Sequence, residues 1–176
     1  MVALPEYRET IAPTIRLEPL KYSDETLNLW VKWMNDPDIR QYMYRSLTSN
    51  KDRIKEWLEL ASISDSRHYF TIHVDNNNIG FISVRQDKHP INTAEIGIII
   101  GEKEYQSKGI GKKVLSEVLE KCENDYHLSS VRALIKPFNK RSINLFTKQG
   151  FTKDTEVTVF GEPFIRYIKT LPQTIL

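Results

Sequence analysis

An apolar run, Ala94-Glu95-Ile96-Gly97-Ile98-Ile99-Ile100, is followed closely by Gln106-Ser107-Lys108-Gly109-Ile110-Gly111-Lys112-Lys113. From there Ile110, Val114, Leu115, Val118, Leu119 and Cys122 recur at the spacing of one helical face. The order predicts a buried strand, a glycine- and lysine-rich turn, and an amphipathic helix, so the chain must place a strand end against a helix N-terminus. The first N–H groups of such a helix have no partner within it, and the helix dipole adds partial positive charge. Glycine lets an anion come close to the backbone, and Lys108, Lys112 and Lys113 add mobile charge. The turn therefore reads as an anion site; a tight turn with solvated lysines is the other reading.

Two nucleotide-binding patterns fail on this stretch residue by residue. Counted from Gly101, a G-x-x-x-x-G-K-[ST] loop needs glycine where Gln106 stands, and Lys113 after Lys112 has no hydroxyl for a magnesium ion. A dinucleotide fingerprint needs a third glycine, but Gly109-Ile110-Gly111 runs into Lys112, Lys113 and Val114.

Composition narrows the class. The 176 residues are 40% hydrophobic and 27% charged, which suits one globular domain over 1–176. A net charge of +2 argues against a nucleic-acid protein, which would carry a clustered basic stripe. No run is long enough to span a bilayer, and Met1-Val2-Ala3-Leu4-Pro5 has no signal-peptide pattern, so no membrane is expected. The single cysteine, Cys122, falls on the apolar helix face, and the four histidines lack metal-ligand spacing. The expectations are a cytoplasmic protein without a metal site, a monomer or homodimer.

Residues 1–12 show no periodicity and read as a loose lead-in. Thr14 to Leu20 alternates as a strand, and Ser23 caps a helix carrying Leu27, Trp30, Val31 and Met34. Asn35-Asp36-Pro37 breaks that helix, a short piece with Ile39, Tyr42 and Met43 follows, and Ser49 or Asn50 caps another through Ile54, Trp57, Leu58 and Ala61. From Arg67 the period changes. Tyr69–Val74 and Ile79–Val84 flank a polar turn over Asp75-Asn76-Asn77-Asn78 and make a hairpin. Thr93 to Ile100 is a strand, the helix after the anion loop runs to about Asn124, and Ser130 to Ile135 is a strand. Asn139 caps a further helix that Gly150 ends. Phe151–Phe160 and Phe164–Leu171 form two strands around Gly161-Glu162-Pro163. The sum is an α/β chain with a mixed, mostly antiparallel sheet of about six or seven strands flanked by helices.

Gln106-x-x-Gly109-x-Gly111 resembles the Q/R-x-x-G-x-G/A pyrophosphate loop of the GNAT (N-acetyltransferase) superfamily. Asn139-Lys140-Arg141-Ser142-Ile143-Asn144-Leu145-Phe146-Thr147-Lys148-Gln149-Gly150-Phe151 resembles that family's N-x-x-S/A-x-x-L-Y-x-K-x-G-F element, at a similar distance from the loop. The region Trp30 to Met43 is similar to the branch that includes ribosomal-protein N-terminal, aminoglycoside, amino-sugar and spermidine acetyltransferases. The resemblance covers Ala94 to Phe151 well and the flanks weakly.

It implies the GNAT fold, in which a splayed strand pair makes a cleft for acetyl-CoA, and direct transfer of acetyl to a primary amine. That acceptor would be a small amine or amino sugar, or else a peptide N-terminus. The pyrophosphate is expected on Gln106, Ser107, Lys108, Gly109, Ile110, Gly111 and Lys112, with the pantetheine paired along Ile98, Ile99 and Ile100. Asn139, Ser142 and Phe146 would complete the cofactor side. Gly97 either eases a bulge where the strands splay or simply allows close packing. Glu95, a carboxylate in an apolar strand, is the candidate base, against a solvent-facing or ion-paired glutamate. Phe146 replaces the tyrosine that many relatives use to protonate the thiolate, so Ser142, one turn earlier, is the candidate donor, against a plain capping role. Tyr42, Tyr44 and Arg45 are candidates for the acceptor pocket. Because Phe146 cannot donate, a CoA-binding sensor or interaction module on the same fold is the alternative.

Overall fold

A computed structural model describes residues 13–44 and 49–172, so the expected lead-in over 1–12 and Arg45 lie outside the described residues. The elements run β1 (Ile15–Pro19), α1 (Asp24–Asn35), α2 (Pro37–Arg40), α3 (Lys51–Ser62), β2 (Arg67–Val74), β3 (Asn77–Gln86) and β4 (Thr93–Ile100). A single 3-10 turn over Lys103–Tyr105 precedes α4 (Ile110–Asn124), β5 (Ser130–Ile135), α5 (Lys140–Lys148), β6 (Thr152–Val159) and β7 (Glu162–Thr170).

Helix starts follow from short polar side chains. Ser23, Asp36, Asn50 and Asn139 each accept a hydrogen bond from a backbone N–H in the first turn of α1, α2, α3 and α5 respectively. No side chain caps α4, whose N-cap is Gly109. At the other end of α5, Gly150 takes a φ of +84°, the left-handed conformation that closes a helix.

The seven strands form one sheet in the order β1-β2-β3-β4-β5-β7-β6. Every neighbouring pair is antiparallel except β4 with β5. Alternation divides the side chains between two cores. Ile82, Val84, Ala94 and Ile96 join Val114, Leu115, Val118 and Cys122 of α4. Tyr69 and Phe81 join Trp30, Trp33 and Leu58 of α1 and α3 on the other side.

Both hairpins turn more tightly than the polar stretches suggest. Strand β3 starts at Asn77 and β7 at Glu162, leaving two-residue connections in which Asp75, Phe160 and Gly161 take positive φ. The β3–β4 ladder runs without a register shift through Ser83↔Gly97, so the bulge considered at Gly97 is absent. The close-packing reading holds instead, because a Cβ on Gly97 would stand 3.3 Å from Ser83 Oγ. Among the described residues no helix is long and apolar enough to cross a membrane.

Gly101 lets the end of β4 lie flat on the buried Trp33 ring, whose indole N–H donates to Glu102 Oε1 at 2.9 Å. A Cβ there would sit 2.3 Å from ring atoms of Trp33. Gly101→Ala is therefore expected to destabilise the fold by about 1–3 kcal/mol, read as a lower urea midpoint. Cys122 is fully buried, and burial pushes its thiol up to about 12. Iodoacetamide at pH 8 should leave Cys122 unlabelled in the native protein and label it in denaturant; rapid native labelling would contradict this packing.

Candidate active site

Strands β4 and β5 pair only at Thr93↔Ser130, Ala94↔Val131 and Glu95↔Arg132. Beyond that rung they part, and β4 keeps only β3 as a neighbour as far as Ile100. The separation opens a cleft of about 980 Å³. One wall is the free edge of β4 at Ile98, Ile99 and Ile100; the other is the end of β5 with the first turns of α5. An unpaired strand edge offers backbone donors and acceptors to any extended ligand.

At the outer end the cleft meets the uncapped start of α4. Ser107 and Gly109 take φ of +61° and +79°. No atom lies within 4 Å of a Cβ built on Gly109, so this glycine answers to backbone conformation rather than space. A Cβ built on Gly111 would stand 3.4 Å from Leu145 Cδ2 and 4.0 Å from Ile98 Cδ1, on the cleft side of the helix. Lys112 lines the cleft, while Lys108 lies over the Tyr105 ring, 5.9 Å from its centroid. The Gln106 side chain straps the loop in place: its Nε2 donates to Ile100 O at 2.8 Å and its Oε1 accepts from Arg141 Nη1. The loop thus brings uncapped N–H groups, flanked by lysines, to the cleft, an arrangement that suits an anion.

On α5, Asn139 Oδ1 accepts from Ser142 N–H at 3.1 Å, so its carboxamide oxygen serves as the cap. Asn139, Ser142 and Phe146 all line the cleft. Phe146 is only 3% exposed and meets Phe151 edge-on at 4.9 Å, making it core as well as wall.

The inner end is polar at its floor. Glu95 is buried; its Oε1 accepts from the Tyr44 hydroxyl at 2.6 Å and from Arg85 Nη2. Its Oε2 lies 3.5 Å from Arg132 Nη2, and Arg132 in turn grips Asp87 with both terminal nitrogens. The candidate base is therefore both beside the cleft and ion-paired, with Oε2 its less engaged oxygen. Burial, reinforced by the Glu95 charge, pushes the Tyr44 phenol well above its ordinary pKa and keeps it a neutral donor. Burial opposes the charge on Arg85, but Glu95 together with Tyr44 and Tyr69 outweighs it and raises the Arg85 pKa. Tyr42 and Tyr44 both reach the cleft, Tyr42 near Phe138 at 5.7 Å and Tyr44 near Phe164 at 5.1 Å. Buried Lys136 fixes Phe164 from behind, with Nζ 4.4 Å over that ring and 2.9 Å from Glu162 Oε2.

Some of the lining was not legible from the sequence as site. Trp30 and Trp57 read there as periodic helix positions and Tyr69 and Phe81 as hairpin strand residues, yet all four also line the inner arm. Trp30 stacks on Phe81 at 3.7 Å, and its buried indole N–H makes no hydrogen bond to the described residues. Arg67 and Arg85 were missed because each is an ordinary strand charge until register sets it against its neighbours. Among the described residues no group of three or more His, Cys, Asp or Glu is arranged to hold a metal ion.

Residues 14–152 match the model of a family described as "Acetyltransferase (GNAT) domain". An N-acetyltransferase 9-like protein of Nematostella vectensis is 33% identical over 161 residues, covering 83% of this chain and 79% of that protein. Among solved structures, a domain from Methanocaldococcus jannaschii is 25% identical with a TM-score of 0.73, covering 91% of this chain and 100% of that one. A spermidine N-acetyltransferase from Vibrio cholerae, solved with CoA and spermine, is 18% identical with a TM-score of 0.75, covering 90% of this chain and 95% of that one.

Around Gly111 a methyl group meets only ordinary contacts, whereas a branched side chain would crowd Leu145 and Ile98 at the start of α4. Gly111→Val should weaken acetyl-CoA binding about tenfold or more by calorimetry, with Gly111→Ala within about twofold. Equal affinity in all three proteins would remove the loop from the binding site.

Proposed function

The chain belongs to the GNAT acetyltransferase family, an enzyme family with acetyl-CoA as its characteristic cosubstrate, and on that premise we propose that it transfers acetyl directly to a primary amine. The observation that carries this reading is the junction of three features in one cleft: a free strand edge, an uncapped helix start and a buried carboxylate. A structural neighbour solved with CoA and spermine supports a CoA donor and an amine acceptor for this fold.

Acetyl-CoA supplies the activated acetyl group. On this reading the N–H groups from Ser107 to Lys112 hold its pyrophosphate, and the Ile98–Ile100 edge pairs with the pantetheine arm as an added strand. Phe146 and Leu145 pack along that arm and exclude water. An amine with a pKa of about 10.4 is mostly protonated at pH 7, so its free base lies roughly 4–5 kcal/mol uphill. Glu95 lowers that barrier through a water held on Oε2, because Oε1 is occupied by Tyr44 and Arg85. Tyr44 and Arg85 fix the carboxylate's orientation. As the amine bonds to the carbonyl carbon and the carbon–sulfur bond breaks, the amine's proton passes to the water on Glu95. The departing sulfur takes a hydrogen bond or proton from the Ser142 hydroxyl, since Phe146 carries none. No covalent acetyl-enzyme is required.

A thiol-release assay over a panel of amines tests the reading directly. Glu95→Gln should lower kcat about a hundredfold or more while acetyl-CoA affinity stays within about twofold. Ser142→Ala should cost less, because water can replace a weakly acidic hydroxyl. An unchanged kcat in Glu95→Gln would reduce Glu95 to an ion-pair partner, and no thiol release with any amine would favour the sensor reading.

A further inference from the structure

One ladder rung crosses four neighbouring strands: Arg67 on β2, Arg85 on β3, Glu95 on β4 and Arg132 on β5. Side chains on one rung share a face of the sheet, here the face that packs against α1 and α3. Three guanidinium groups therefore stand in a row with one carboxylate among them. Like charges directly opposite on paired strands repel, so the row needs compensation. Glu95 answers Arg85, and Asp87 answers Arg132 with both carboxylate oxygens. Arg67 makes no ion pair among the described residues, although it lines the inner arm of the cleft beside Arg85. One positive charge is left over where the acceptor must sit.

The other polar groups of that arm point the same way. The buried Trp30 indole N–H is a free donor. Tyr44 donates to Glu95 and stays neutral, so it brings no negative charge to answer a cation. Besides Glu95, the cleft's only lining carboxylate among the described residues is Asp38, which Lys103 already holds at 2.6 Å. A polycationic acceptor would thus find no unpaired carboxylate to bind its second charge, and it would face Arg67.

We infer that the acceptor's amine is carried on a molecule that also bears an anionic group, a carboxylate or a phosphate, held by Arg67 and the remaining donors of Arg85. This rests on the acyl-transfer reading of the cleft. The amine sits near Glu95 and the anion towards β2, two strand spacings or about 10 Å away along the rung, a distance the arginine side chains shorten. The flat aromatic walls of Trp57, Tyr69 and Phe81 lie alongside and accommodate the linking carbons.

The test compares acetyl transfer to acceptors of one length that differ in terminal charge: aminohexanoate, aminohexyl phosphate, aminohexanamide and diaminohexane. The acid or the phosphate should exceed the diamine in kcat/KM by about tenfold or more, and the better of the two identifies the anion. Arg67→Gln should level the series and Arg67→Glu should invert it; Arg67 is exposed, so both variants should fold, as circular dichroism checks. A diamine used as well as the acid, or a preference unmoved in Arg67→Glu, overturns the inference. Should no amine be acetylated, the acyl-transfer reading fails, and calorimetry on the CoA-loaded protein still decides the pocket. There N-acetylaminohexanoate must bind more tightly than N-acetyldiaminohexane in the wild type and lose that advantage in Arg67→Glu. Equal affinities overturn the inference.

Discussion

Three residue pairs join β4 to β5, and the site depends on where that pairing ends. A parallel pair normally continues as long as both strands do, because each lost rung exposes backbone groups. Here β4 runs on to Ile100 and β5 to Ile135, yet nothing pairs them beyond Glu95↔Arg132. Each strand is held away from the other by its attachments on the far side. β4 is tied to β3 and, at its tip, to Gln106; β5 is tied to β7 through six residue pairs from Ser130↔Thr170 to Ile135↔Ile165. The splay is therefore a property of two rigid half-sheets that meet along a short seam. No bulge at Gly97 is needed to produce it.

The same seam places the electrostatics. Glu95 and Arg132 form the last joined rung, so the Glu95 side chain stands at the apex of the cleft, backed by Arg132. Burying a carboxylate there without partners would be costly, and Arg85, Arg132 and Tyr44 remove that cost. At the far end the solution is the opposite. The start of α4 is left uncapped although the other helices have capping side chains, so its dipole and N–H groups remain available to a ligand. At one end the Glu95 carboxylate is satisfied internally, whereas at the other the helix start keeps its N–H groups without a capping side chain.

Local chemistry made most of the fold legible. The caps at Ser23, Asn50 and Asn139, the left-handed Gly150 and the strand from Thr93 to Ile100 each announce themselves within a few residues. The loop and the α5 element were equally local, which is why motifs alone could propose a cofactor side. The acceptor side was not, because its residues gain meaning only from register. Arg67, Arg85, Glu95 and Arg132 are separated along the chain and become one row only when four strands are aligned. The aromatic arm was hidden for a related reason: Trp30, Trp57 and Phe81 have the periodicity of core residues and pack together as core residues do. Their second role comes from the cavity beside them.

Two cationic regions in one cleft raise the question of why a ligand with several anionic groups would not bind in reverse. The difference is in the kind of positive charge. The α4 end offers fixed backbone N–H groups at a turn that Gly109 shapes through its positive φ. The rung end offers planar guanidinium forks on long side chains, suited to a single carboxylate or phosphate. Between them lies an apolar waist of Ile98, Ile99, Leu145 and Phe146. An adenine nucleotide forced into the inner arm would have to fit its diphosphate against the Trp30–Phe81 stack, where nothing but the edge of the rung could neutralise it. On the proposed reading, shape and donor geometry together would orient the donor. On the proposed reading, the waist would also keep the reacting carbonyl in low-dielectric surroundings, where the Glu95 network would act most strongly on the amine.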